Sequence, residues 1–286
     1  MTEPRVGFVG LGQIGAPMAR HLVDWPTGLV VCDRRREATA PFVEAGATCA
    51  ATPGQVASVC DVISVMVVND DQTNEVVAGP DGVLTTAAPG SVIAVHSTIA
   101  PETAETLGAM AAARGVELVD APVSGGFIGA HDGTLAAMVG GTEAAVEQCR
   151  GPFARWASLI VRAGPVGAGT RLKLARNLMH FVMYAGAGEA QRLATAAGLN
   201  LGQLAAVVRH SDAVTGGASA IMVRQSAEPF DPDDAMFDLF DHARALGEKD
   251  LALAQQLAAA LDVDVPFAAL ARQRLGFELG VRPEPA

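Results

Sequence analysis

Arg5-Val6-Gly7-Phe8-Val9-Gly10-Leu11-Gly12-Gln13-Ile14-Gly15 (RVGFVGLGQIG, residues 5–15) is the stretch on which the fold turns. Arg5 to Val9 is a short, mainly apolar run suited to a buried strand, and Ala16 to Val23 beyond the glycines carries helical spacing. Between them stands G-x-G-x-x-G. Such glycines permit a tight turn and close backbone approach to a pyrophosphate, while the helix start offers unpaired N–H groups and a positive dipole end. A second apolar run, Leu29-Val30-Val31-Cys32, ends in Asp33, where a carboxylate meets a ribose in this arrangement. Strand, turn, helix and acid agree on a dinucleotide-binding fingerprint. Gly10, Leu11, Gly12, Gln13, Ile14, Gly15 and Asp33 are therefore candidate cofactor contacts.

Beyond Asp33 the alternation continues. Phe42 to Ala47 closes a helix, Val62 to Val68 and Ser91 to Val95 read as buried parallel strands, and Asn69-Asp70-Asp71-Gln72-Thr73 is a polar helix start between them. Thr103 to Arg114 is helical and Val116 to Val119 a strand. Repeated β-α units predict an α/β fold with a Rossmann-type doubly wound parallel sheet. Ligands bind at the carboxyl ends of such strands, which singles out the loops after Gly10, Cys32, Val68, Val95 and Val119. Val67, Val68 and Thr98 join the cofactor candidates on that ground, Thr98 having a helix cap ahead of Pro101 as its alternative.

Strand patterns end with Leu135 to Val139 and Leu159 to Val161. Everything from Gly167 onward reads as helix and turn, including Leu201 to Val208, Ala218 to Gln225, Ala243 to Ala260 and Pro266 to Gly280. The predicted organisation is a dinucleotide-binding domain over residues 1–164 and an all-α domain over 165–286, joined by a long helix from about Gly167 to Gln191. Apolar side chains lie all round that helix, which predicts a central helix buried on most sides, part of that surface against a second subunit. Lys173, Asn177, His180 and Tyr184 form one polar stripe along it.

Half of the residues are apolar and 18% are charged, as in a globular chain. A formal net charge of -11 argues against nucleic acid or an anionic membrane surface as partner, so any anion site must be local. Cys32, Cys49, Cys60 and Cys149 are scattered, which suits reduced thiols rather than a disulfide framework or a metal site. With a strand-like run so near the start and no long apolar stretch, a soluble, cytoplasmic protein is expected.

The loop after Val119 is Asp120-Ala121-Pro122-Val123-Ser124-Gly125-Gly126, followed by Gly129-Ala130 and Gly133-Thr134-Leu135. Its free N–H groups and hydroxyl suit an anion, although glycine content alone fits a plain turn as well. With this segment in view the chain resembles the β-hydroxyacid dehydrogenases. Four segments carry the likeness: Val6 to Ala19, Asp120 to Leu135, Gly167 to Asn177 (GAGTRLKLARN) and Lys249-Asp250-Leu251. The resemblance implies a Rossmann domain followed by a helical domain across a long helix. It also implies a substrate carboxylate at Ser124, Gly125 and Gly126, catalysis by Lys173, substrate binding by Asn177, and a second lysine, Lys249, beside cofactor and substrate.

The residue types fit that chemistry. Alcohol oxidation by hydride transfer needs a group to take the hydroxyl proton, and Lys173 serves if an apolar surround and a nearby cation, Arg171 or Arg176, lower its pKa. Asn177 lies one turn on. The expected activity is hydride transfer between a nicotinamide cofactor and a small 3-hydroxy acid like 3-hydroxyisobutyrate. Reduction of tartronate semialdehyde, succinic semialdehyde or glyoxylate is the alternative, ahead of an imine reductase or a non-catalytic dinucleotide-binding protein. Asp33 favours NAD by repelling a 2′-phosphate, whereas Arg34 would favour NADP. A homodimer or homotetramer is expected. Arg176, His96 and His242 depart from the family pattern, which leads one to expect asparagine, aspartate and an aromatic residue there.

Overall fold

The computed structural model describes residues 3–224 and 226–284. Its first part alternates strand and helix as far as β6: β1 (Val6–Val9), α1 (Gly15–Arg20), β2 (Leu29–Cys32), α2 (Ala40–Glu44), β3 (Thr48–Cys49), α3 (Pro53–Ala57), β4 (Val62–Val65), α4 (Asp70–Ala78), β5 (Val92–Val95), α5 (Pro101–Ala112) and β6 (Glu117–Asp120). The β6 strand is followed by β7 (Val123–Ser124), α6 (Gly126–Asp132), β8 (Leu135–Gly140), α7 (Glu143–Phe153) and β9 (Ala157–Gly164). The remaining long elements are helices: α8 (Ala168–Ala196), α9 (Leu201–Thr215), α10 (Phe237–Ala260) and α11 (Pro266–Glu278). Two compact units result, residues 1–177 and 178–286.

In the sheet, β3-β2-β1-β4-β5-β6 run parallel, with the order reversing between β1 and β4. The β8 strand then pairs antiparallel with β6 and β7, and β9 pairs parallel with β8. Alternation along each strand sends neighbours to opposite faces. Phe8, Val62 and Val92 join one buried cluster with Met18, Leu22, Phe153 and Trp156, while Val9, Ile63 and Ile93 join another with Val77, Leu107 and Val116. Register aligns Val9 with Cys32 and Val65, Val65 with Val95, and Val95 with Asp120. The loops after these five residues consequently leave one edge of the sheet side by side.

Three expectations are corrected. The run Val62 to Val68 stops being strand at Val65, because Met66 to Val68 peel away into the loop ahead of α4. In place of a helix over Ala218 to Gln225 there is a short 3₁₀ turn, Gly217–Ile221, entered through Gly216 and Gly217 at positive φ; Gln225 lies outside the described residues. The apolar side chains of α8 are not buried on most sides within the chain: Leu178 is 70%, Phe181 60% and Val182 56% exposed. Spacing shows where apolar groups lie, not which chain covers them.

Candidate active site

The first glycine turn is shaped by close approach. Gly10 sits at φ 97°, its N–H donates to the Cys32 carbonyl at 2.9 Å, and a Cβ there would come within 2.2 Å of the Met66 carbonyl oxygen. At Gly15 a Cβ would stand 2.0 Å from the Gly10 oxygen. Gly12 differs, for a Cβ there would meet nothing within 4 Å. Thus Gly10 and Gly15 serve the turn, while Gly12 leaves backbone open to a ligand, as a pyrophosphate requires. Asp33 is fixed beside this turn: Oδ2 accepts the Leu11 N–H at 2.6 Å and Oδ1 the Arg35 N–H at 2.8 Å. The Arg35 guanidinium also folds over Asp33 and donates to the Leu11 carbonyl at 3.1 Å, leaving Arg34 exposed.

The next loops border the same edge. Ser97, which sequence reasoning passed over for its neighbour, pins Val67 from both sides, accepting its N–H at 3.0 Å and donating to its carbonyl at 2.8 Å. Val68 and Thr98 are exposed. Thr98 does not cap α5, whose first turn is instead held by Asp70 Oδ1 through the Ala100 N–H and the Thr103 hydroxyl.

Asp120 ends β6 and is fully buried. Its Oδ1 accepts the Gly167 N–H at 2.7 Å and its Oδ2 the Thr170 N–H at 2.6 Å, so a strand carboxylate fastens the start of α8. Burial raises its pKa above the usual carboxylate range, against those two donors. Lys173 then points back into the loop and donates from Nζ to the Val123 carbonyl at 2.7 Å. It is 8% exposed, and burial, followed by the charge of Arg176, lowers its pKa to about 8. Of the two neighbouring cations, Arg171 is engaged elsewhere, with Glu105 at 2.6 Å. Arg176 donates to Asn177 Oδ1 at 3.2 Å.

Beside Lys173, Ser124 pairs with Ala136, and Gly125 and Gly126 follow at φ 131° and 63°. A Cβ at Gly125 would press on Leu135, whereas one at Gly126 would enter open space. His96 braces the loop from below. Its Nδ1 lies 2.9 Å from the Ala121 carbonyl, which can only accept, so Nδ1 carries the proton and Nε2 accepts from the Ser64 hydroxyl at 3.0 Å. Burial lowers its pKa to about 4, against the Ala121 hydrogen bond, keeping the ring neutral at physiological pH.

The structure therefore gathers Gly10 to Gly15, Asp33, Val67, Val68, Thr98, Ser124, Gly125, Gly126, Lys173 and Asn177 in the first unit. Lys249 belongs to α10 in the second, where its Nζ meets Asp250 at 2.6 Å and it lines a surface groove with Arg244, Glu248 and Arg272; His242 is exposed on the same helix. Among the described residues no group of three His, Cys, Asp or Glu side chains could hold a metal ion, and no helix is long and apolar enough to cross a membrane.

A Rossmann sheet with an open glycine turn and a buried lysine at the same edge defines a nicotinamide-dependent oxidoreductase. Residues 5–164 match the family described as the NAD binding domain of 6-phosphogluconate dehydrogenase, and residues 167–277 that described as NAD-binding of NADP-dependent 3-hydroxyisobutyrate dehydrogenase. An uncharacterized oxidoreductase of Mycobacterium tuberculosis is 53% identical over 99% of this chain and 95% of its own. The NAD-dependent L-serine dehydrogenase of Pseudomonas aeruginosa is 35% identical over 93% of this chain and 89% of its own. A solved oxidoreductase structure from Mycobacterium avium 104 superposes with TM-score 0.92 at 48% identity, covering 98% of this chain and 100% of that one. The chain belongs to the β-hydroxyacid dehydrogenase family and is an NAD(P)-dependent hydroxyacid dehydrogenase.

Proposed function

We propose that the chain oxidises a small 3-hydroxy acid of the 3-hydroxyisobutyrate or L-serine type to its semialdehyde with NAD, and that Lys173 performs the proton transfer. The observation carrying this reading is the buried Lys173, held 2.7 Å from the Val123 carbonyl beside a glycine turn. The bound nicotinamide supplies the acceptor for the carbinol hydride, while the hydroxyl proton passes to Lys173 Nζ; in reduction the same lysine returns it to the forming alkoxide. Asn177 donates to that oxygen from its amide NH₂. Ser124 Oγ and the N–H groups of Gly125 and Gly126 hold the carboxylate. The 3-hydroxy acid class is supported by the 3-hydroxyisobutyrate dehydrogenase match and by the serine-oxidising relative.

NAD is favoured because Asp33 is braced by Leu11 and Arg35 where a ribose would lie, and Arg35 is spent on that carboxylate rather than on a 2′-phosphate. Gly10, Leu11, Gly12, Gln13, Ile14 and Gly15 would hold the cofactor's pyrophosphate, and Val67, Val68 and Thr98 would border the bound cofactor. The test is turnover of 3-hydroxyisobutyrate and L-serine with each cofactor, alongside reduction of tartronate semialdehyde, succinic semialdehyde and glyoxylate. A 3-hydroxy acid is expected to give the highest kcat/KM, and NAD to exceed NADP. No turnover of any 3-hydroxy acid overturns the substrate class; a preference for NADP abolished by Arg34→Ala overturns the role of Asp33.

A further inference from the structure

We infer that Arg176 makes this site selective for 3-hydroxy acids bearing a second negatively charged group, a second carboxylate in the simplest case, over monocarboxylates of equal size. The inference rests on the proposed roles of Lys173 and Asn177. Arg176 stands three residues after Lys173 and one before Asn177, on the first unit's segment of α8, where i and i+3 side chains are neighbours. A guanidinium can only donate, so the Asn177 atom 3.2 Å from Nη1 is its amide oxygen, and the Asn177 NH₂ is left to face a substrate oxygen. One of five guanidinium N–H donors is used in that contact.

The rest of the fork has no acidic partner among the described residues, although the chain carries 31 acidic side chains and a net charge of -11. Within α8, Arg171 is exposed and paired with Glu105 and Arg192 is exposed and donates to the Asp264 carbonyl, while Arg176 is half-buried and pairs with no carboxylate. Arginine remains charged at any pH a protein survives, and its planar fork matches a carboxylate in two parallel hydrogen bonds. The Ser124 to Gly126 turn offers a substrate carboxylate one hydroxyl and backbone donors, without a net charge. Arg176 touches Asn177 and lies near enough to Lys173 for its charge to act on the amine, so a substrate held there with its hydroxyl at Lys173 would have its remaining substituent in reach of the guanidinium. A methyl group leaves the guanidinium unmatched; a carboxylate arm matches it.

The test compares 2-(hydroxymethyl)glutarate with its ω-amide, equal in size but lacking the second charge, as substrates with NAD. The native protein is expected to favour the diacid by about ten- to hundredfold in kcat/KM, the range for a charge-assisted pair. Arg176→Asn, the residue type the family pattern carries there, is expected to bring that ratio close to one, and Arg176→Lys to retain part of it. Lys173→Ala should slow both substrates alike and leave the ratio standing. Titrating the NAD-bound protein with the diacid and the amide reads the same discrimination as a ratio of Kd values without turnover, so a failed assignment of Lys173 remains distinct from a failed assignment of Arg176. A native ratio near one, a ratio unchanged by Arg176→Asn, or an equal loss on both substrates overturns the inference.

Discussion

At the scale of single residues the site depends on where one proton resides. Lys173 has its pKa lowered to about 8 by burial and then by Arg176, so at neutral pH the ammonium predominates and the neutral amine gains rapidly just above it. Oxidation needs the neutral amine: its rate should rise with pH, reach half its maximum near about 8 and level off above. Reduction needs the ammonium and should fall through the same range, and a rate–pH profile in each direction checks both signs. Lys173→Ala is expected to lower kcat by about 10²–10⁴-fold with cofactor affinity little changed; a variant retaining near-normal kcat would move the proton transfer to His180 or Tyr184 on the same stripe. Gly126→Ala is the cleaner probe of the carboxylate turn. Its methyl enters open space at a backbone cost of about 1–2 kcal/mol for φ 63°, whereas a side chain at Gly125 is both strained and pressed on Leu135. KM for hydroxy acids should rise several-fold while Kd for NAD holds. The glycine turn after β1 was legible in sequence from its spacing, and Lys173 was singled out by the family resemblance. The Val123 carbonyl facing Lys173 was not, for a backbone acceptor 50 residues away leaves no trace in residue type.

At the scale of elements, two buried carboxylates do the same work in different units. Asp120 closes the start of α8 through Gly167 and Thr170, and Glu189 closes the start of α11 through the N–H groups of Phe267 at 2.7 Å and Ala268 at 3.0 Å. Both supply from outside the helix an acceptor that an ordinary N-cap supplies from within, as Asn69 does for the Gln72 N–H of α4. Asn69 was readable ahead of its helix. The carboxylate caps were not, since each lies far along the chain from the donors it satisfies. Long apolar strands were equally readable, because a parallel strand buried on both faces is apolar throughout. The two-residue strands β3 and β7 were too short to show a period, and the Pro and Gly inside α7 (Glu143–Phe153) masked a helix. Asp120→Ala should destabilise the protein by about 2–4 kcal/mol, the cost of orphaning buried donors, and Asp120→Asn, which keeps one oxygen, by less. Denaturant melts decide this. If neither variant is destabilised, α8 is held by its packing rather than by its cap.

At the scale of the whole molecule, the exposed apolar length of α8 requires an account. Leu178, Phe181, Val182, Met183 and Tyr184 follow one another along the helix with large exposed surfaces, which is more than scattered surface hydrophobes amount to. His180 and Tyr184 lie tilted against each other at a ring separation of 4.2 Å, with Phe181 edge-on to both, so this length of the helix carries an aromatic cluster. A long helix with so much exposed apolar surface suits an isologous contact, in which one copy covers the other about a twofold axis. The net charge of -11 opposes such pairing at low ionic strength, so association should strengthen as salt is added. We expect a homodimer, or a tetramer built from dimers, at micromolar concentration in sedimentation equilibrium. Leu178→Glu combined with Phe181→Glu would place two carboxylates in that face and should shift the population to monomer while leaving the circular dichroism of the helices intact. A native protein that sediments only as monomer would leave α8 exposed in solution and remove the second copy as its cover.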